Sequence, residues 1–97
     1  MDSTIKNWLR NEGVAGLPGI ELYLFGSVLT SKRPKDVDLV IVYDPSLVDV
    51  DKAIAIRQSL RSRIHEVAGV PADILLLSSS EVEQTKFLNR IDTERLN

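Results

Sequence analysis

Cysteine is absent from this 97-residue chain, and several other common features are scarce. Without cysteine, disulfides, zinc–thiolate sites and cysteine nucleophiles are excluded. Basic residues are not in excess, because 12 Lys and Arg stand against 14 Asp and Glu, so a general nucleic-acid-binding surface is not expected. The polar first residues do not resemble a signal peptide, and no apolar run reaches membrane-spanning length. We therefore expect a cytoplasmic protein without a membrane segment.

What the chain does contain is an ordinary globular composition, with 43% hydrophobic and 27% charged residues. No internal repeat, low-complexity tract or shift in composition marks a boundary. A chain of this length can bury one modest core, so we expect a single domain over residues 1–97.

The spacing of apolar residues predicts three helices and three strands. The helices are expected over residues 3–12, 46–68 and 80–90, and the strands over residues 20–25, 36–43 and 72–77. Ser80 and Glu83 have the spacing of a capping box for the last helix. The segment between the first two strands is predicted to be a short helix or a loop. With the helix, the predicted order is α-β-α-β-α-β-α.

The lengths of the connections constrain the sheet. Ten residues, 26–35, join the first two strands, and a parallel crossover usually needs more, so these strands should be antiparallel neighbours. The long helix leaves ample chain for a parallel crossover to the third strand. We predict the α/β (α+β) class, as a small mixed β-sheet with helices packed on one face.

Two carboxylates stand at the mouth of the second strand. Asp36 and Asp38 flank Val37, and alternate residues of a strand point to the same face. Two carboxylates at the end of an apolar, buried strand are costly unless something compensates them. A divalent cation with oxygen ligands would do so, and Mg²⁺ is commonly bound together with substrate phosphates. The pattern therefore predicts metal-dependent phosphate chemistry.

Asp73 opens the third strand, where it could complete a cluster with Asp36 and Asp38 or simply face water. Three acidic groups suit a two-metal site for in-line phosphoryl displacement. Gly26 and Ser27 follow the first strand, where glycine lets the backbone approach a phosphate closely. Basic residues of the following loop could neutralise phosphate charge or simply be solvated: Lys32, Arg33 and Lys35.

Gly26-Ser27, Asp36-Val37-Asp38 and the later Asp73 together resemble the DNA polymerase beta-like nucleotidyltransferase superfamily, and within it the minimal nucleotidyltransferase family. The resemblance implies two Mg²⁺ ions held by Asp36, Asp38 and Asp73, with Gly26 and Ser27 on the phosphates. It also implies transfer of a nucleoside monophosphate, usually AMP from ATP, to a hydroxyl. Two features depart from the family pattern: the spacer between Ser27 and Asp36 is slightly short, and Val28-Leu29-Thr30 replaces the usual small residue and arginine.

Minimal members are often encoded beside a helical HEPN protein, and some act as antitoxins that adenylylate that partner. The resemblance thus implies a nucleoside triphosphate substrate and a HEPN-type or other protein partner, or self-association, to complete the site. Nucleic acid is an unexpected partner, although a tRNA acceptor stays open. Two alternatives also stay open: a docking module that keeps the fold, lacks strong catalysis and inhibits a partner, or another small phosphate-binding α/β domain.

Overall fold

Four strands and four α-helices make up the part of the chain that the computed structural model describes, which is residues 3–26, 35–90 and 92–97. In chain order they are α1 (Ser3–Arg10), β1 (Ile20–Phe25), β2 (Val37–Tyr43), α2 (Val50–Ala68), β3 (Ala72–Ser78), α3 (Ser79–Thr85), α4 (Phe87–Arg90) and β4 (Thr93–Arg95). A short 3₁₀ helix, Gly13–Gly16, lies between α1 and β1.

The strands form one mixed sheet in the order β3-β2-β1-β4. β1 is antiparallel to β2, as its short connection predicted, and β2 is parallel to β3. The predicted mixed sheet with helices is confirmed. The predicted short helix between β1 and β2 falls on residues that are mostly outside the described ranges.

One face of the sheet carries the main hydrophobic core. Alternate residues of β1 and β2 are fully buried there, and α1 and α2 supply the covering side chains. The buried side chains of this face include Leu9, Leu22, Leu24, Leu39, Ile41, Leu60 and Ile64. Burial of each such side chain stabilises the fold by about 1.5–3 kcal/mol, so this face contributes much of the stability of the sheet.

The long helix α2 begins and ends at clear signals in the sequence. The Asp49 side chain accepts a hydrogen bond from Lys52 N–H at 2.8 Å, which caps the first turn. Gly69 ends the helix in the left-handed conformation, where a residue without Cβ is favoured. The prediction placed the start of this helix at residue 46, and it was four residues early because residues 45–48 form a turn instead.

The second face of the sheet is also partly covered, contrary to the prediction of helices on one face. Phe25 points to this face, and the ring of Phe87 in α4 packs edge-on against it at 6.4 Å between centroids. Val40 and Val42 point the same way along β2 and are buried. The segment of α3 and α4 thus connects β3 at one edge of the sheet to β4 at the other.

The capping box of the last helical segment is formed by Ser78 and Glu81, not by Ser80 and Glu83 as predicted. The Ser78 hydroxyl accepts from Glu81 N–H, and the Glu81 carboxylate accepts from Ser78 N–H at 3.0 Å. Three consecutive serines made several registers possible, and the earlier one prevails because β3 ends at Ser78. The predicted single helix 80–90 is broken at Lys86, which has a positive φ.

The fourth strand was not predicted, because three polar residues carry no alternation of apolar side chains. Asn97, just after it, makes three hydrogen bonds that fix it to the start of β1. Its side-chain N–H₂ donates to the carbonyls of Ala15 and Ile20, and its side-chain oxygen accepts from Leu22 N–H. Leu96 is buried in the same core.

Membrane-spanning length is not reached by any apolar helix within the three described ranges.

Candidate active site

Three strand ends meet at one end of the sheet. Phe25, the last residue of β1, pairs with Asp38 of β2, and Asp38 pairs in turn with Asp73 of β3. Neighbouring strands are about 4.8 Å apart, so the topology brings residues far apart in sequence side by side. The sheet therefore places Asp38 and Asp73 side by side, as predicted.

The carboxylates occupy the second face of the sheet and its rim. Val37 and Leu39 are fully buried in the core on either side of Asp38, so the side chain of Asp38 points to the opposite face. Asp36 lies one residue before β2, which begins at Val37 instead of residue 36. Asp36 and Asp38 are half-buried and Asp73 is exposed, so the group is open to solvent on the β3 side.

The electrostatic surroundings of Asp38 raise its pKa above the ordinary value for aspartate. Partial burial is the largest cause, followed by the negative charges of Asp36 and then Asp73. In the described part of the chain, no ion pair involves any of these three carboxylates. Asp38 therefore carries a charge that the described residues leave uncompensated.

Gly26 lies directly against the side chain of Asp38. Its φ of +76° is a backbone conformation that L side chains rarely adopt. A Cβ at this position would overlap Asp38 Oδ2 and would lie 3.2 Å from Asp38 Cγ. The absence of a side chain at Gly26 leaves the space that the Asp38 carboxylate occupies at the end of β1.

An aromatic pair borders the carboxylates, and it was missed by sequence reasoning. Phe25 lies directly across from Asp38, and Phe87 packs on it at an interplanar angle of 88°. Phe25 was visible only as the last apolar residue of a strand. The contact with Phe87 depends on α4 crossing the second face, which the sequence pattern did not indicate.

The donor set fits a divalent cation of the Mg²⁺ type in its chemistry. Carboxylate oxygens are the ligands such ions prefer. The pKa of Asp38 is raised first by partial burial and then by the negative charges of Asp36 and Asp73, and a bound cation would offset those charges. Within residues 3–26, 35–90 and 92–97, no group of three or more His, Cys, Asp or Glu side chains is close enough to hold one ion. The described chain thus places the three carboxylates at neighbouring positions without enclosing a site.

Two of the predicted phosphate contacts, Gly26 and Lys35, lie within the described residues. Gly26 lies against Asp38, and Lys35 is exposed in the bend before Asp36. The other predicted contacts lie outside the described residues: Ser27, Lys32 and Arg33.

A fourth aspartate, Asp44, lies just past the other end of β2 and has a structural role. Its Oδ1 accepts hydrogen bonds from Ser46 N–H at 2.9 Å and from the Ser46 hydroxyl at 2.7 Å. These hydrogen bonds lower the pKa of Asp44. Asp44 thus stabilises the turn that follows β2, a role typical of aspartate.

Comparison with known proteins identifies a family to which almost the whole chain is similar. The family model described as a nucleotidyltransferase domain matches residues 5–96, a range that includes all of the carboxylates discussed above. Neither the curated proteins nor the solved structures contain a significant match to this chain.

Proposed function

Because the chain belongs to the nucleotidyltransferase domain family, we propose that it transfers AMP from ATP to a hydroxyl group on a partner protein, with Mg²⁺ as cofactor. Transfer of a nucleoside monophosphate from a triphosphate is the general activity of such a domain, and the family generally uses a divalent metal. The observation that carries the proposal is the charge of Asp38, which lies beside Asp36 and Asp73 and which the described residues leave uncompensated, in a chain that this family model matches.

Each of the three carboxylates has a role in the proposed reaction. Asp36 and Asp38 would ligate both ions, and Asp73 would ligate one and accept the proton of the acceptor hydroxyl. Mg²⁺ held by these carboxylates would neutralise part of the negative charge that develops during the reaction. The hydroxyl oxygen forms a bond to the α-phosphorus, the bond to the bridging oxygen breaks, and pyrophosphate leaves.

On the phosphate side of the proposed site, the close backbone approach at Gly26 and the Ser27 hydroxyl would hold the β- and γ-phosphates. Lys32, Arg33 and Lys35 would offset the charge of the triphosphate. Lysine ammonium groups and the arginine guanidinium suit this task because both carry donors and positive charge. These assignments follow the order of residues in the family resemblance.

The openness of the carboxylate group supports an acceptor on another protein. Asp73 is exposed and Asp38 is only half-buried, so a partner surface could reach both. The resemblance to minimal nucleotidyltransferases favours a HEPN-type partner, with the chain as the antitoxin of a toxin–antitoxin or defense system in the cytoplasm. The adenylylated group would then be a partner hydroxyl such as that of tyrosine.

Transfer of label from α-labelled ATP to proteins of a source-cell lysate, with Mg²⁺ present, tests this function. The matched variants are Asp38→Asn and Asp44→Asn, which make the same change at the two ends of β2. We expect Asp38→Asn to lower transfer by at least about 100-fold, because it removes negative charge where the metal binds. Asp44→Asn should stay within about twofold of the parent chain.

Equal activity of the parent chain and Asp38→Asn would contradict the assignment of the site. A folded parent chain that labels nothing but captures one specific protein would instead favour the docking module. Circular dichroism of both variants ensures that a loss of labelling is not a loss of folding.

A further inference from the structure

Phe25 is the neighbour of Asp38 across β1 and β2. The two residues are direct partners in the antiparallel pairing of these strands. In such a pair both side chains lie on one face of the sheet, with their Cβ atoms about 4.5–5.5 Å apart. Here that is the second face, because the adjacent residues Leu24 and Leu39 are buried in the main core on the other side. The ring of Phe25 therefore stands beside the side chain of Asp38.

The Asp38 carboxylate is also placed against the residue that follows Phe25. A Cβ at Gly26 would overlap Asp38 Oδ2, so this oxygen occupies the space beside the Gly26 backbone. On the β1 side, Asp38 is thus bordered by two consecutive residues, a ring at Phe25 and bare backbone at Gly26. Movement of the Phe25 ring would change the room available to the Asp38 side chain, and hence its choice of rotamer.

Phe87 packs on the Phe25 ring from outside the sheet. The two rings meet edge-on, at an interplanar angle of 88° and with 6.4 Å between their centroids. Edge-to-face contact is a favoured arrangement of aromatic side chains, and it sets the orientation of one ring relative to the other. The helix that carries Phe87, α4, has only four residues and is too short to be stable by itself. The contact between the rings is therefore one of the interactions that hold α4 on the second face.

The two rings lie apart from the main core. Among the described residues, the hydrophobic cluster on the core face contains neither Phe25 nor Phe87, and both side chains are only half-buried. Their contact is separate from the packing that holds α1 and α2 on the sheet. Loss of this contact should therefore act chiefly on the carboxylate end of the second face.

We propose that Phe87 is a positioning residue for Asp38. Phe87 holds the Phe25 ring in place, and the Phe25 ring in turn keeps the Asp38 carboxylate against Gly26, in the orientation that binds the divalent cation. The part of this inference that concerns the cation rests on the proposed function. The part that concerns the rotamer of Asp38 rests on the packing of the described residues alone.

Substitutions at position 87 separate the ring from its bulk. Phe87→Ala removes the ring and leaves space into which the Phe25 ring can turn. Phe87→Leu keeps an apolar side chain without a flat edge, and it takes the place of Phe87→Ala if that variant does not fold. Phe87→Tyr keeps the ring and should behave as the parent chain does. Leu88→Ala is the matched control, because Leu88 is also half-buried in α4 but lies about 100° further round the helix.

The rotamer of Asp38 is the direct readout. Three-bond NMR couplings from Asp38 Cγ to its backbone nitrogen and carbonyl carbon report the populations about χ1, with a chelator present to remove divalent metal. We expect one dominant rotamer in the parent chain, in Phe87→Tyr and in Leu88→Ala, and averaged couplings in Phe87→Ala and Phe87→Leu. A purely structural role of Phe87 would lower stability without changing these couplings. Unchanged couplings in Phe87→Ala and Phe87→Leu, or averaged couplings in the parent chain, would overturn the proposal.

Binding of Mn²⁺, followed by the EPR signal of the free ion, tests the part of the inference that concerns the cation. Carboxylate sites that suit Mg²⁺ also suit Mn²⁺. We expect Phe87→Ala to weaken Mn²⁺ binding about tenfold and Leu88→Ala to stay within about twofold of the parent chain. Equal Mn²⁺ affinity of the parent chain and Phe87→Ala would overturn this part. A parent chain that binds no Mn²⁺ and transfers no label, with couplings that respond to Phe87→Ala, would contradict the proposed function and support the positioning of Asp38.

Discussion

The two ends of β2 carry the same side chain in opposite electrostatic situations. Asp38, near the start, has a raised pKa because it is partly buried next to Asp36 and Asp73. Asp44, just past the end, has a lowered pKa because Ser46 donates two hydrogen bonds to it. The described residues compensate the charge of Asp44 and leave the charge of Asp38 uncompensated. A carboxylate in that situation is the better candidate for binding a cation or ligand.

Substitution of a glycine with positive φ should have the largest effect, and that effect should differ between the carboxylate end of the sheet and the rest of the fold. Gly26→Ala should destabilise the protein by about 1–3 kcal/mol and lower transfer, because the new Cβ would meet Asp38 in a strained conformation. Gly69→Ala is the matched control, with a similar φ of +71° but nothing within 4 Å of the new Cβ. It should cost only about 1 kcal/mol and leave transfer unchanged. Urea denaturation and the labelling assay measure both quantities.

If Gly26→Ala lowered the free energy of unfolding no more than Gly69→Ala does, the contact between Gly26 and Asp38 would not matter for stability.

Removal of charge at the two ends of β2 should change stability in opposite directions. A raised pKa in the fold means that ionised Asp38 is destabilising, so Asp38→Asn should raise the melting temperature at pH 7 without divalent metal. The gain should shrink as the pH falls through the folded pKa of Asp38 towards 3.8, the ordinary value for aspartate. Asp44→Asn should lower the melting temperature at pH 7, and its effect should vanish as the pH falls below 3.8 through the folded pKa.

Melting curves from pH 3 to pH 7 follow both variants. Shifts of the same sign at pH 7 would contradict the contrast between the two ends.

The smallest expected effect isolates the contribution of β3. Asp73→Asn removes the third and weakest of the influences that raise the pKa of Asp38, so that pKa should move slightly towards its ordinary value. NMR titration of the Asp38 carboxyl carbon, with a chelator present, measures the change. Asp44→Asn serves as the comparison and should leave the Asp38 titration unaltered. An unchanged Asp38 pKa in Asp73→Asn would mean that the two strands do not bring these charges close.

The sequence predicted most of the sheet because its signals were local and strong. The apolar runs that form β1, β2 and β3 are bounded by residues such as Gly26 and Asp44. The ten-residue connection between β1 and β2 correctly predicted that these two strands are antiparallel. The long α2 was equally clear, and only its start was misplaced. β4 was missed because its pairing with β1 depends on core contacts of Leu96 and on the hydrogen bonds of Asn97, neither of which leaves a periodic pattern.

The carboxylates were predictable for a different reason. Asp36, Asp38 and Asp73 are polar residues at the starts of apolar strands, and their positions stand out against the pattern. The sequence could not show that Gly26 makes room for Asp38, or that Phe25 and Phe87 border it. Those facts depend on a left-handed backbone and on a helix crossing the second face, both of which are set by tertiary structure.

The hydrogen bonds of Asn97 have a consequence for the order in which the fold assembles. They join residues as much as 82 positions apart, and β4 pairs with β1, the first of the described strands. Closing so long a loop costs entropy before any contact rewards it, whereas the hairpin of β1 and β2 closes a short one. The β1–β2 hairpin is thus suited to nucleate folding. Docking of β4, the last strand, would then complete the fold. Local opening should follow the reverse path, with β4 detaching while the carboxylate end of the sheet stays assembled.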